Sequence, residues 1–337
     1  MKKTLLAMVV AATAAGSVNA AELLKTDTAS LDFYGQLREQ IVQGSEDSDP
    51  TVTSGSSRTG LNARYVANDS VTVIGTYEIG IADFSASESG SWAVRKHYIG
   101  LDFGDAGTVT LGKQSILSDD VWGAENSYFG DAKSMLPESG VSMNWLQRAM
   151  LKYTVEGEAG WLQAAYSYDN EDADQTTAEL YVGRSFGAVS VYGGVGYLKD
   201  QIASTNDNGT YDDSDDFTVH NDDEMKHAML TVAYDADAWN VGATYWYKDS
   251  DSSGTNLKTN SMVVAGSVKV ADKTSVYGGY EFITDFESEN NDYQNVYAGV
   301  EYKYASWARV FAEFGSHTQD VADGDDSYWG VGARLYW

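Results

Sequence analysis

The chain has 337 residues, with 22 lysines and arginines against 50 aspartates and glutamates, a formal net charge of −28, no cysteine and two prolines. Without cysteine, neither a disulfide framework nor a thiolate metal site is available. The strong acidity also argues against binding to nucleic acid, which needs clustered lysine and arginine. The 33 glycines, 23 tyrosines and 9 tryptophans favour long strands, because aromatic residues suit strands and proline cannot donate to a strand ladder.

Residues 1–20 are typical of a cleaved secretory signal peptide. A basic start at Lys2 and Lys3 precedes an uncharged apolar run, and small residues lead up to a predicted cleavage after Ala20. The alternative, a membrane-anchoring helix, needs about 20 apolar residues, which is more than this run provides. Residues 21–337 are therefore predicted to form one mature domain.

From Leu31 onwards, segments of about ten residues alternate between apolar and polar side chains. The last segment is representative: Trp329, Val331 and Leu335 alternate with Tyr328 and Arg334. A period of two predicts strands, and a transmembrane β-barrel has this pattern because lipid-facing and lumen-facing residues alternate. A soluble β-sandwich shares the period. The predicted signal peptide, the aromatic residues at strand ends and the regular order of connections favour the barrel.

Short, turn-like connections alternate with long, acidic ones, as expected for the periplasmic turns and external loops of an outer-membrane barrel. The segments number about 16; an even count is usual for a single-chain bacterial barrel, and this size leaves an aqueous channel. The predicted strands are 30–43, 56–67, 70–82, 92–103, 107–114, 145–156, 160–169, 176–186, 188–199, 225–235, 238–248, 258–270, 274–284, 294–304, 307–316 and 327–337.

The stretch from Gln114 to Asn144 follows neither the strand nor the helix period. At about 30 residues it is longer than an ordinary hairpin loop, and such loops are usually functional or disordered. It combines apolar residues such as Trp122 and Phe129 with acidic ones, so we expect it to fold into the barrel and narrow it. The acidic residues are Asp119, Asp120, Glu125, Asp131 and Glu138.

The chain resembles a known family in four segments. These are Leu-Asp-Phe-Tyr-Gly-Gln-Leu at 31–37, Met-Leu-Pro-Glu at 135–138, Ala-Ser-Trp-Ala-Arg-Val at 305–310 and Gly-Ala-Arg-Leu-Tyr-Trp at 332–337. They resemble the trimeric general porins of Gram-negative bacteria, especially those of Vibrio and its relatives, and the likeness runs in order along the mature chain. It implies an all-β transmembrane antiparallel barrel of 16 strands in the outer membrane, with the third external loop folded into the lumen.

The resemblance also implies a function and partners. The function is passive diffusion of ions and small hydrophilic solutes through a homotrimer, with no cofactor, no metal and no catalytic residue. The implied partners are outer-membrane lipid, lipopolysaccharide and the barrel-assembly machinery. That machinery would recognise Trp337, which stands where phenylalanine is more usual in the family.

Within the family, a basic wall faces the acidic loop at the constriction. The residues that match this wall are Arg58, Arg95, Lys113 and Arg148, with lysine standing at 113 where arginine is usual. Independently of the family, Arg38, Arg58 and Arg148 fall on the polar faces of their predicted strands, where ordinary solvated lumen residues are the alternative.

On the loop side, Glu138 matches the family's glutamate, but Ser134 replaces its aspartate. The source of the second negative charge is therefore open among Asp119, Asp120, Glu125 and Asp131. The acidic loops predict a preference for cations that weakens as salt screens it.

Three alternatives remain from the sequence. An enzyme would need a site assembled in space, because the four histidines are scattered. A binding or receptor role is suggested only by the acidic segment 207–216, which superficially resembles calcium-binding loops. A substrate-specific channel would use an aromatic row in the lumen, and five residues have the inward parity: Tyr192, Trp246, Tyr277, Tyr297 and Tyr336.

Overall fold

The computed structural model describes residues 20–81, 92–129, 133–135, 145–169, 175–206, 217–252, 254–320 and 325–337. The predicted signal peptide lies almost entirely outside these ranges and its cleavage stays a prediction. The strands are β1 Ala21–Lys25, β2 Ala29–Gln43, β3 Thr51–Thr53, β4 Arg58–Asn68, β5 Val71–Ile81, β6 Trp92–Asp102, β7 Thr108–Ser115, β8 Leu146–Gly157, β9 Gly160–Asp169, β10 Gln175–Phe186, β11 Val189–Asn206, β12 Phe217–Asp235, β13 Trp239–Ser252, β14 Thr255–Ala271, β15 Thr274–Thr284, β16 Tyr293–Ala305, β17 Ala308–Gln319 and β18 Asp326–Tyr336.

Sixteen of these strands form a closed antiparallel barrel. From β4 to β18 each strand pairs with the next, β2 pairs with β4, and β18 returns to β2 through pairs such as Arg334 with Arg38. The two remaining strands, β1 and β3, are short and lie against β2. Closure leaves no open sheet edge in the hydrocarbon, where unpaired backbone groups would be costly.

The predicted strands are confirmed, with one large difference in length. β11 and β12 remain paired as far as Asn206 and Phe217, beyond the ends of the predicted strands 188–199 and 225–235. The apolar–polar alternation ends where the strands leave the lipid, because both faces are then in water. The backbone hydrogen bonds between β11 and β12 continue beyond that point. The short strands β1 and β3 were not predicted, because three to five residues are too few to establish a period.

Side chains alternate between lumen and lipid as the pattern predicts. On β13, Thr244, Trp246 and Lys248 are buried, while Trp239 and Tyr245 remain exposed on the outer surface. Among the described residues, no helix combines the length and apolarity that a membrane crossing requires.

Candidate pore constriction

The long loop between β7 and β8 lies inside the barrel. Three hydrogen bonds tie it to inward-facing wall residues: the Ala124 amide donates to Thr244 Oγ1 at 2.6 Å, the Asn126 amide to Tyr297 Oη at 3.2 Å, and Tyr192 Oη to the Trp122 carbonyl at 3.1 Å. The predicted fold of the loop into the lumen is thereby confirmed for its described part, 116–129 and 133–135.

The apolar side of the loop packs against the inner wall. Its first turn, α1 at Leu117–Asp120, follows Ile116 and precedes Val121, and these apolar side chains are at most 1 % exposed. They share one cluster with inward side chains of β8 to β14, including Met150, Trp161, Tyr181 and Trp246. Burial of this apolar surface stabilises the loop in one position inside an otherwise polar barrel.

Wall carboxylates hold the loop backbone at three points. Glu179 accepts the Leu117 and Ser118 amides. Glu281 accepts the Ser134 amide at 2.7 Å, and Glu313 accepts the Tyr128 amide at 2.8 Å. Hydrogen bonds to charged groups are the stronger kind, so these glutamates act as anchors. The inward parity of these glutamates is readable from the sequence, but their loop partners are not.

The inward aromatic residues support the loop. Tyr192, Trp246, Tyr277 and Tyr297 are all at most 9 % exposed. Tyr277 meets the ring of Tyr128 edge-on at 5.5 Å. Tyr192 and Tyr297 form the hydrogen bonds to the loop given above, and Trp246 belongs to the apolar cluster. Four of the five candidates for an aromatic row are therefore covered by the loop. The fifth, Tyr336, lies outside this cover beneath the Arg309 guanidinium.

The opposite wall carries the predicted basic residues. Glu78 lies between two of them, with Arg95 Nε at 3.1 Å and Arg58 Nε at 3.9 Å. Tyr34 Oη donates to the same carboxylate at 3.1 Å. Arg38 donates to the Gln36 side chain on the same strand at 3.3 Å. The acid that contacts Arg58 and Arg95 thus belongs to the wall itself.

Two β-bulges adjust the basic wall. Glu78 pairs with Lys96 and Ile79 with Val94, which leaves Arg95 as the extra residue, directed to Glu78 in the lumen although its parity is outward. A second irregularity, between Gly112 and Gln114, includes Lys113. Lys113 experiences the positive charges of Arg148 and Arg95, so these three cations share one region of the wall.

Gly112 makes the second bulge possible. Its φ of +137° is rarely adopted by other residues, and an added Cβ would lie 2.4 Å from the His97 carbonyl oxygen. Bulges of this kind redirect side chains.

Asp120 is the described loop acid that reaches the basic wall. Its carboxylate pairs with Lys152 on β8, and Lys96 Nζ lies 4.0 Å away on β6. Neither lysine is among the predicted site residues: Lys152 has the inward parity, but Lys96 adjoins the bulge, which has no signal in the sequence.

The other acidic candidates differ in position. Burial, together with the neighbouring Asp120 carboxylate, raises the pKa of Asp119 above its usual value. Glu125 points back into the loop and accepts Trp122 Nε1 at 3.2 Å and the Ser127 amide at 2.7 Å. Asp131 and Glu138 lie outside the described residues.

The loop tip meets a second group of charges on β16 to β18. Tyr128 stacks on Phe311 at 3.9 Å, and the Arg334 guanidinium lies 4.4 Å from the centre of the Tyr128 ring. Arg309 pairs with Glu301 at 2.9 Å, and the Tyr128 hydroxyl donates to the same carboxylate.

No metal-binding group of three or more His, Cys, Asp or Glu side chains occurs in the part of the chain that the structure describes. His227, buried beside Glu179 at 3.2 Å, adjoins a loop anchor. The acidic segment 207–216, considered for calcium, lies outside the described residues.

Comparison with known proteins places this architecture. The family model described as Gram-negative porin matches residues 6–333. The chain belongs to the Gram-negative porin family. The porin is 36% identical to a loop-deletion mutant of OmpT, an outer membrane protein of Vibrio cholerae, covering 92% of this chain and 100% of that one with a TM-score of 0.80.

Two further outer-membrane proteins are similar to this chain. A trimer form of in-vitro folded Vibrio cholerae OmpT is 34% identical, with 92% and 100% coverage and a TM-score of 0.78. The major outer membrane protein of Pasteurella multocida strain Pm70 is 24% identical over the full length of both chains. The porin is thus an outer-membrane channel protein rather than an enzyme.

Proposed function

We propose that this porin forms a water-filled channel for passive diffusion of ions and small hydrophilic solutes, with a preference for cations. The observation that carries the proposal is the loop held in the lumen, with Asp120 in contact with Lys152 and 4.0 Å from Lys96 on the basic wall. Opposed charges at a constriction create a transverse field that orders water, so small polar solutes pass more easily than apolar ones. Charged rows of this kind tune selectivity in channels generally.

The preference for cations is supported by the excess of acidic residues, which gives the chain its formal charge of −28. A negative potential raises the local concentration of cations at the channel mouth. The proposed constriction comprises Arg38, Arg58, Arg95, Lys113 and Arg148 on the wall, together with Asp119, Asp120, Glu125, Asp131 and Glu138 on the loop.

General diffusion is favoured over a substrate-specific channel by the position of the aromatic residues. A binding row needs exposed rings, whereas Tyr192, Trp246, Tyr277 and Tyr297 are buried.

We further propose that the functional unit is a homotrimer, as in the trimer form of Vibrio cholerae OmpT, surrounded by outer-membrane lipid and lipopolysaccharide. We also propose that the barrel-assembly machinery recognises Trp337. Its amide donates to the Gly35 carbonyl at 3.1 Å, beside the seam of the barrel.

Single-channel recording in planar bilayers tests the proposal. We expect conductance steps in groups of three and, across a KCl gradient, a reversal potential on the cation side. Folded, inserted protein that conducts no current would refute the channel. A reversal potential on the anion side would refute the cation preference alone.

A further inference from the structure

Two titratable side chains point away from the lumen, into a surface that otherwise faces hydrocarbon. Glu39 on β2 is exposed and lies between Leu37 and Ile41, which are 40 % and 42 % exposed on the same outer face. His97 on β6 is exposed beside Ile99, which is 68 % exposed. Both residues break the apolar row of their strands.

Glu39 lies within the apolar band. It pairs across the seam with Ala333, and two further outward pairs, Ile41 with Val331 and Gln43 with Trp329, lie closer to the external end. Charged groups facing lipid at such depth destabilise barrels. Within the described chain neither Glu39 nor His97 has a hydrogen bond or an ion pair, and His97 only meets the ring of Tyr77 edge-on at 5.8 Å.

The angle between the two residues fits a three-fold assembly. In a closed ring such as a C₃ trimer, two different patches of each subunit meet, and for three equal barrels the directions to the two neighbours differ by about 60°. Each strand of a 16-stranded barrel occupies about 22° of its circumference. β2 and β6 are separated by three strand steps, through β4 and β5, which is about 68°.

The heights of Glu39 and His97 along the barrel axis also match. Hydrogen-bonded rows climb towards the external end from β2 onwards: the row that starts at Asp32 near the periplasmic end of β2 passes through Tyr98 and Met150 and reaches Ser250, two residues before the end of β13. With strands tilted by about 40°, each strand step along a row gains about 3 Å and each residue along a strand about 2.5 Å.

His97 is three steps along the row that begins at Phe33 and passes through Leu61 and Tyr77. It therefore lies about 9 Å above Phe33, whereas Glu39, six residues further along β2, lies about 15 Å above it. The difference of about 6 Å is within the reach of two extended side chains.

We propose that Glu39 of one protomer pairs with His97 of the next, so that the outer face from β2 to β6 is the contact between copies of this chain. The inference rests on the trimer in the proposed function and adds its contact surface. Each protomer offers an acid at one edge of the patch and a base at the other, so three identical pairs close the ring and remove both polar groups from lipid.

Cysteine cross-linking tests the pairing directly, because the chain contains no cysteine. In the double variant Glu39→Cys with His97→Cys, a bis-maleimide reagent with a spacer of about 10 Å, which matches the separation of two facing sheets, is expected to give covalent dimers and trimers that survive boiling. A link within one barrel is excluded, because His97 lies three strand steps, about 14 Å, from Phe33, and Glu39 lies six residues, about 20 Å, further along β2.

Each single cysteine variant should give no covalent trimer. The matched control is Glu224→Cys with His97→Cys, because Glu224 is on the outward row of β12, on the opposite side of the barrel. A double variant that conducts and migrates as a folded trimer but forms no covalent oligomer would overturn the proposal. Loss of conductance or a monomeric mass in the unmodified porin would instead refute the proposed function.

Charge exchange gives a second test that does not depend on cross-linking. Glu39→Gln and His97→Gln should each lower the temperature at which the trimer dissociates in SDS, and Glu39→His combined with His97→Glu should restore it. Glu224→Gln should leave it unchanged. Strictly additive losses without restoration would overturn the pairing.

Discussion

At the residue scale, the decisive feature of the proposed constriction is the contact between Asp120 and two lysines on different strands. Lys152 and Asp120 have side chains that are 9% and 13% exposed, so the pair is only partly screened by water. Lys96 lies at the outer limit of ion-pair contact, at 4.0 Å. The loop is therefore joined to the basic wall by one close ion pair supported by a second cation.

Replacement of Lys152 by glutamine tests this contact. We expect a loss of about 1–3 kcal/mol in the free energy of unfolding, because a part-buried carboxylate loses its closest partner. The reversal potential should also shift further towards cations. Urea titration in lipid vesicles and bilayer recording measure the two effects.

The control is Lys273→Gln, which removes the same charge at an exposed turn where Lys273 donates to the Tyr304 carbonyl. If both variants shift the reversal potential equally, the effect is one of total charge and the constriction assignment is wrong.

At the element scale, the loop acts as an internal wall because its polar backbone is satisfied by carboxylates while its apolar side chains are buried. Glu313 illustrates the arrangement: one oxygen accepts the Ser127 hydroxyl and the other accepts the Tyr128 amide. A buried amide without an acceptor is costly, so each anchor makes the lumen position of the loop more favourable than a solvated one.

Glu313→Gln should loosen the loop without unfolding the barrel. Glutamine keeps the volume but has a single acceptor oxygen, so one of the two loop donors loses its partner, at a cost of about 1.5–3 kcal/mol. Single-channel recordings are expected to show a noisier open state, and the unfolding midpoint should fall. Glu289→Gln, at an exposed position of another loop, is the control; identical noise in both variants would contradict the anchoring role.

At the scale of the whole molecule, acidity and the barrel act together on permeating ions. The net charge acts over long distances only where salt does not screen it, and the screening length falls from about 10 Å at 0.1 M salt to about 3 Å at 1 M. The ion pairs of the proposed constriction span at most 4.0 Å, which is well within the screening length at 0.1 M and comparable with it at 1 M.

The cation preference should therefore decline with salt but not vanish. We expect the permeability ratio of K⁺ to Cl⁻ to fall as the mean KCl concentration is raised from 0.1 to 1 M, because the mouth potential is screened. Reversal potentials at a constant concentration ratio measure it. A ratio that is independent of salt would place the selectivity entirely in the constriction.

The amino-acid sequence alone determines the barrel of this porin, the number of strands that close it and, outside the bulges, the inward face of each one. Alternation with a period of two follows directly from lipid on one side and water on the other, so positions such as Trp246 and Lys248 are assigned to the lumen without coordinates. The same pattern places Arg58 and Arg148 inward, and the absence of any period identifies the constriction loop.

The tertiary structure decides which of these residues meet. Arg95 turns inward because of a bulge that no local pattern announces, and Glu78, rather than a loop acid, lies between it and Arg58. Asp120 reaches Lys152 across about 30 residues of intervening chain. Periodicity reports the environment of one residue at a time, whereas contacts inside a barrel depend on register, bulges and the path of a loop, and these are settled by packing between distant segments.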